Sequence, residues 1–225
     1  MQLFNVDVVN QYWLALLQGL LLTVTLTFIV IILALIFAIP VALLRMSQNR
    51  LIRGVASVYV EVIRGTPLLL QLVYIYYVLP TMGINLNAFV AAIVGLTLNY
   101  TAYMSEVYRS GIMAVPKNQW EAAATIGMTR ARAFRRIILP QALRIVTPTL
   151  GNYFISLFKD TALASVVTVQ ELTFTGQIIS ARSYQYFTIY TVTAILYLSV
   201  GYPAALFVKW LERRMQTGHA ARRSA

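Results

Sequence analysis

No charged residue interrupts the chain from Val8 to Leu44. One crossing of a hydrocarbon core needs about 20 residues, so this run is too long for a single element and divides. Residues 8–17, VVNQYWLALL, bring Tyr12 and Trp13 to headgroup depth and predict an interfacial helix. Residues 18–44 predict the first span. After the basic linker SQNRLIRG a second apolar run covers about 55–79, with Glu61, Arg64 and Pro67 in its first half. Pro80, Met82-Gly83 and Asn85 mark a turn. Further runs predict spans at about 86–111, 142–167 and 187–211, and the stretch 168–186 reads as polar and irregular. No internal repeat and no low-complexity segment appears. The pattern predicts one all-α transmembrane domain over 1–225, with five spans and a polar loop at 112–141. There is no basic n-region and the first apolar run is too long for a signal peptide, so no cleaved leader is expected.

Composition agrees with this reading: 59% of residues are apolar, against about 45–50% in soluble domains. The net charge of +11 raises the question of a nucleic-acid partner, and the placement of the charges answers it. Arg45, Arg50, Arg53 and Arg64 fall in one inter-span region. Arg109, Lys117, Arg130, Arg132, Arg135, Arg136 and Arg144 fall in another, and Lys209, Arg213, Arg214, Arg222 and Arg223 follow the last span. With five spans these regions share one side, and only Arg182 lies on the other. The positive-inside rule then places the N-terminus outside and the C-terminus in the cytoplasm. The basic excess is accounted for without nucleic acid, and none is expected as a partner. The chain has no cysteine and one histidine, His219 in the polar tail, so no metal site is expected.

The loop 112–141 is punctuated like two short helices. Pro116 can open the first. Glu121 lies towards its positive pole, the alanines 122–124 favour helix, and Gly127 ends it in a left-handed position. Thr129 can cap a second helix on which Ala131, Phe134 and Ile138 share one face, and Pro140 is expected to break that helix. Residue chemistry alone leaves two readings open. One is an amphipathic loop lying on the membrane surface. The other is a docking helix whose small-residue face fits a groove on another chain.

Four motifs in order resemble a known family. Glu121-Ala122-Ala123, then three residues, Gly127, then nine, then Ile137-x-Leu139-Pro140 matches the EAA loop of ABC-importer permease subunits. Arg64-Gly65-Thr66-Pro67-Leu68 with Gln71 resembles the second-span signature of polar amino-acid permeases of the histidine, glutamine, arginine and glutamate type. Ser105-Glu106-Val107-Tyr108-Arg109-Ser110-Gly111-Ile112 resembles that family's third-span exit, and Lys159-Asp160-Thr161-Ala162-Leu163 its fourth-span segment. The leader GLLLTVTLT also fits. The resemblance covers essentially the whole chain. It implies the type I ABC-importer permease (MetI-like) fold, in a bacterial inner membrane. It implies a transport subunit rather than an enzyme, working by alternating access on polar amino acids. It implies two ATP-binding subunits at the cytoplasmic loop, a second permease subunit, and a periplasmic or lipid-anchored binding protein. Trp120, Glu121, Ala122, Ala123, Gly127 and Arg130 would couple to the ATPase. Arg64, Pro67 and Gln71 would form a gate or kink. The chain contains no G-x-x-x-x-G-K-[ST] phosphate loop, so no cofactor of its own is expected and ATP belongs to a partner.

Charges inside spans point to function. Asn99, Tyr103, Glu106 and Ser110 share one face of the third span, and Lys159 and Asp160 lie well along the fourth. A zwitterionic amino acid needs an anion for its ammonium and donors for its carboxylate, and Asp160, Asn99, Lys159 and Thr161 supply such groups. Structural pairing competes with substrate contact at Asp160 and Asn99. It is the better reading for Lys159, and for Glu106, three residues before Arg109. A permease for another solute and an ATP-independent channel or carrier are the rival functions. No nucleophile–base constellation supports a membrane enzyme.

Overall fold

A computed structural model describes residues 4–220, with side chains to 214. The side chain of His219, and Arg222 and Arg223, lie outside the described residues. Every regular element described is helical. The first, α1 (Val6–Arg45), is one unbroken helix of 40 residues, capped by the Asn5 side chain, which accepts from the Asp7 and Val8 amides. A separate interfacial helix at 8–17 therefore does not form. Aromatic residues such as Tyr12 and Trp13 set depth but do not break a helix, and the first proline is Pro40. At 1.5 Å per residue the helix is about 60 Å long, roughly twice a hydrocarbon core. Its buried side is a stripe of small residues, including Gly19, Thr23, Thr27, Ala34, Ala38 and Ala42. Between helices in lipid there is no hydrophobic drive, and close backbone approach at small residues supplies the packing instead.

The expected second span is broken rather than kinked. Helix α2 (Arg50–Gly65) stops at Thr66-Pro67, and α3 (Leu68–Val73) starts a new direction. The chain from Leu68 continues through a wide π turn (Tyr74–Val78) and a 3-10 turn to Met82, bent by 106° from α2. Helix α4 (Ala88–Ala114) is the central element, packed on α1, α2, α3 and α7.

Helix α5 (Lys117–Thr125) begins just after Pro116 and is followed by Gly127 at φ +73°, the left-handed position a glycine occupies without strain. Glu121 is central in α5 rather than in its first turn, so the dipole argument does not apply to it. Thr129 caps α6 (Arg130–Ala133) by accepting from the Arg132 amide at 3.4 Å. Pro140 does not interrupt the helical path. A π turn at Phe134–Ile138 joins α6 to α7 (Leu139–Asp160), with the Leu139 amide donating five residues back to the Phe134 carbonyl. The wide turn makes room where the proline ring would meet the preceding turn. It also changes the register: Ala131 is exposed, and the packed side is Ala133, Phe134, Ile137 and Ile138.

Beyond α7 a 3-10 stretch (Thr161–Val167) ends at Thr168 in the left-handed region. The stretch expected to be irregular contains α8 (Leu172–Ser183). Its cap, Glu171, is fully buried: the carboxylate accepts from the Thr173 and Phe174 amides at 2.9 and 2.8 Å and from the Tyr197 hydroxyl at 2.8 Å. The polar residues that made this stretch look irregular are the ones that cap and tether the helix. The last helix, α9, runs Tyr186–Ala220. Among the described residues three helices are long and apolar enough to cross a membrane, and up to five spans result if each of two bent pairs counts as one.

Candidate functional site

The break at Thr66-Pro67 opens a cavity of about 420 Å³ between three elements. Pro67 has no N–H, so the Ile63 carbonyl four residues earlier loses its helical donor. Gln71 supplies a substitute. Its Nε2 donates to the Ile63 carbonyl at 2.7 Å, to the Thr66 carbonyl at 3.1 Å and to Thr66 Oγ1 at 2.9 Å. Its Oε1 accepts from Asn99 Nδ2 at 3.0 Å. Gln71 thus stabilises the break and ties it to the middle of α4.

Arg64, Thr66 and Pro67 form one wall, Asn99, Tyr100 and Tyr103 of α4 a second, and Tyr153, Ser156 and Asp160 of α7 a third. The Arg64 guanidinium lies 5.2 Å from the Tyr103 ring centroid. A guanidinium laid over a ring face keeps its N–H edge for a carboxylate. Asp160 accepts from the Tyr100 hydroxyl at 2.6 Å and is the last residue of α7, where the carbonyl pole already attracts cations. Among the described residues no ion pair joins Arg64 to Asp160. The cavity therefore presents a cation and an anion, each held by an aromatic side chain and neither neutralising the other.

Of the residues singled out from sequence, Arg64, Pro67, Asn99, Tyr103 and Asp160 line this cavity and Gln71 supports it. Three do not reach it. Glu106 pairs with both Arg45 and Arg109, tying the end of α1 to α4. Thr161 is fully buried, donating to the Phe158 carbonyl at 2.7 Å. Lys159 is exposed, about 100° around the helix from Asp160. Sequence reasoning missed Tyr100, Tyr153 and Ser156. The signal was the spacing 153, 156, 160, which repeats on α7 the periodicity used on α4. Tyr76 and Tyr77 bond to Thr168 Oγ1 at 3.3 Å and to the Val166 carbonyl at 3.0 Å, while Tyr184, Tyr186 and Tyr190 are exposed.

A second groove, about 440 Å³, lies in the loop and is lined in part by Trp120, Glu121, Ala124 and Arg130. Trp120 stacks on Phe134, and the Arg130 guanidinium lies 5.8 Å from the Trp120 ring. Ala123 packs inward, and Ala122 and Gly127 are exposed beside the groove.

The sequence profile of the family described as binding-protein-dependent transport system inner membrane component matches residues 31–217. The L-cystine transport system permease protein TcyB of Bacillus subtilis (strain 168) is 45% identical over 211 residues, covering 93% of this chain and 90% of that protein. A crystal structure described as an amino acid ABC transporter with histidines is similar at 40% identity and a TM-score of 0.85, covering 91% of this chain and 95% of that one. An inward-facing structure of the MetNI methionine ABC transporter has the same fold, with a TM-score of 0.75 at 21% identity over 91% and 98% of the two chains.

Proposed function

The chain belongs to the inner-membrane components of binding-protein-dependent transport systems, and on that premise we propose that it is the permease subunit of an ATP-driven importer for polar amino acids. The observation that carries the substrate class is Arg64 and Asp160 facing one cavity without pairing. A zwitterion fits this arrangement, its carboxylate on Arg64 and its ammonium on Asp160. Asn99 and Tyr103 line the space between them. Two amino acids appear with the similar proteins: L-cystine in the name of one, and histidines in the description of the other, an amino acid ABC transporter. They share the main-chain groups and differ in side chain, which matches a cavity whose charges address the main chain.

Each bent pair counts as one span, giving five, with the N-terminus outside and the basic loops in the cytoplasm. A second permease subunit completes the membrane part, and a binding protein delivers the amino acid from outside. Two ATP-binding subunits use ATP and dock at the loop 112–141, with Trp120, Glu121 and Arg130 forming the docking groove and Ala122, Ala123 and Gly127 shaping α5. Helices α6 and α7 with the π turn form one continuous strut from Arg130 to Asp160, about 46 Å long at 1.5 Å per residue. Movement of the docking groove is thereby carried to the cavity, and access alternates.

The test is uptake into vesicles holding the complete importer, with L-cystine, L-histidine, L-arginine and L-glutamate as probes. A charge-assisted contact is worth about 1.5–3 kcal/mol, or roughly 10- to 100-fold. Asp160→Asn and Arg64→Gln should each lower uptake by that factor, with the protein still inserted and bound to its ATPase. Uptake at the unaltered level in both variants would overturn the assignment.

A further inference from the structure

Helix α2 divides its circumference into three sectors. Ala56 and Val60 are buried, and Tyr59 beside them donates to the Leu98 carbonyl at 2.7 Å. Leu51, Val55, Val58 and Val62 form an exposed apolar sector suited to lipid. Arg53, Ser57, Glu61 and Arg64 form the third. At about 100° per residue they fall within an arc of roughly 80°, on the side of Val60 away from Tyr59.

The third sector lies deep. Leu98 is near the middle of the 27-residue α4, so the Tyr59 contact sets α2 abreast of that midpoint, and Glu61 follows two residues later. Among the described residues Glu61 has no ion pair or hydrogen bond. A carboxylate facing lipid at such depth costs about 2.5–3.5 kcal/mol even on the mildest scale. The sector must therefore face water or protein. Arg64 belongs to it and also lines the cavity, so the polar sector continues the cavity towards the basic end of α2, about 16 Å from Arg64 to Arg53 at 1.5 Å per residue.

We propose that this sector is a water-lined exit path for the transported amino acid and that Glu61 is a second station for its ammonium group. Arg64 serves both stations. The carboxylate stays on Arg64 while the ammonium passes from Asp160 to Glu61, one turn closer to the basic end. The transfer breaks no covalent bond and moves no proton. It rests on the amino-acid reading of the cavity, but the lining of α2 is testable without it.

The chain has no cysteine, so single cysteines can be placed without background from this chain, and labelling is read on its band after the subunits are separated. In the assembled importer a membrane-impermeant cationic thiol reagent should label Ser57→Cys and Glu61→Cys at least tenfold faster than Val55→Cys, Val58→Cys and Val62→Cys. Equal rates on both sectors, or protection of positions 57 and 61 because a second subunit covers them, would overturn the path. In uptake of L-histidine, Glu61→Gln should lower the maximal rate about tenfold at an unchanged half-saturating concentration, and Glu61→Asp should restore at least half. Loss that Glu61→Asp fails to restore would show a structural residue instead. Failure of the cavity reading would appear separately, as normal uptake in Asp160→Asn with the periodic labelling intact.

Discussion

Single side chains decide whether the cavity exists. Gln71 replaces the donor that Pro67 removes and holds Asn99 with its other end. Gln71→Leu leaves the partly buried Ile63 carbonyl with the longer Thr66 Oγ1 contact at 3.4 Å and releases Asn99 from the break, at about 0.5–1.5 kcal/mol for each hydrogen bond lost. Uptake should fall at least tenfold and the thermal midpoint in detergent should drop by several degrees. A midpoint equal to the unaltered protein would show that the break holds itself. Glu106 works differently, joining Arg45 and Arg109 in a three-charge brace at one end of the bundle. Glu106→Gln leaves two arginine side chains together without their anion, and removing the shared partner of a half-buried pair destabilises. The expected outcome is a lower midpoint with unchanged preference among cationic, neutral and acidic amino acids. A changed preference would place Glu106 in the substrate path. The involvement of Glu106 and Arg109 was legible from their spacing. That of Arg45 was not, because a contact across 61 residues leaves no local trace.

At the scale of elements, polar residues were easily taken for loop. The stretch 168–186 reads as irregular because Glu171, Thr173, Thr175 and Gln177 interrupt its apolar pattern. Folded, Glu171 caps α8, and the helix is held to α1 through Thr23 and to α9 through Tyr197, with the Leu172 amide donating to Thr23 Oγ1 at 3.1 Å. Glu171→Ala removes the acceptor of two amides and of the Tyr197 and Thr23 hydroxyls. A lost cap alone costs about 0.5–2 kcal/mol, and the buried setting adds to it. Lower yield and a midpoint reduced by more than for Glu106→Gln are expected, measured in the same detergent. Proline misled in a similar way. Pro67 and Pro140 carry the same local penalty, yet one accompanies a 106° break and the other sits in a continuous strut. The difference is the neighbouring geometry: a π turn accommodates Pro140, while Gln71 consolidates the opening at Pro67.

Across the whole molecule, the strut makes a prediction of its own. Deleting Arg136 should close the π turn to an ordinary turn, remove the room that the Pro140 ring needs and kink the strut between the docking groove and α7. ATP-driven uptake should be lost while the variant still inserts and the cavity half keeps its fold, read as an unchanged labelling rate at Ser156→Cys. Uptake that survives the deletion would remove the strut from the coupling.

The membrane class, the helical content and the loop motif were all written in the one-dimensional pattern. Hydropathy, charge placement and glycine and proline punctuation are local quantities, and they do not depend on what packs against what. Arg64, Asn99, Tyr103 and Asp160 could be nominated the same way, each as a polar group inside an apolar run. Which of them meet was decided only by tertiary structure. Lys159 and Asp160 are neighbours in sequence and point apart, whereas Arg64 and Asp160 are 96 positions apart and face one cavity. The reason is that helix packing in lipid is set by small residues and backbone hydrogen bonds. The first are nearly invisible in a hydropathy pattern, and the second depend on side chains such as Gln71 and Glu171, whose partners lie on other turns and other helices.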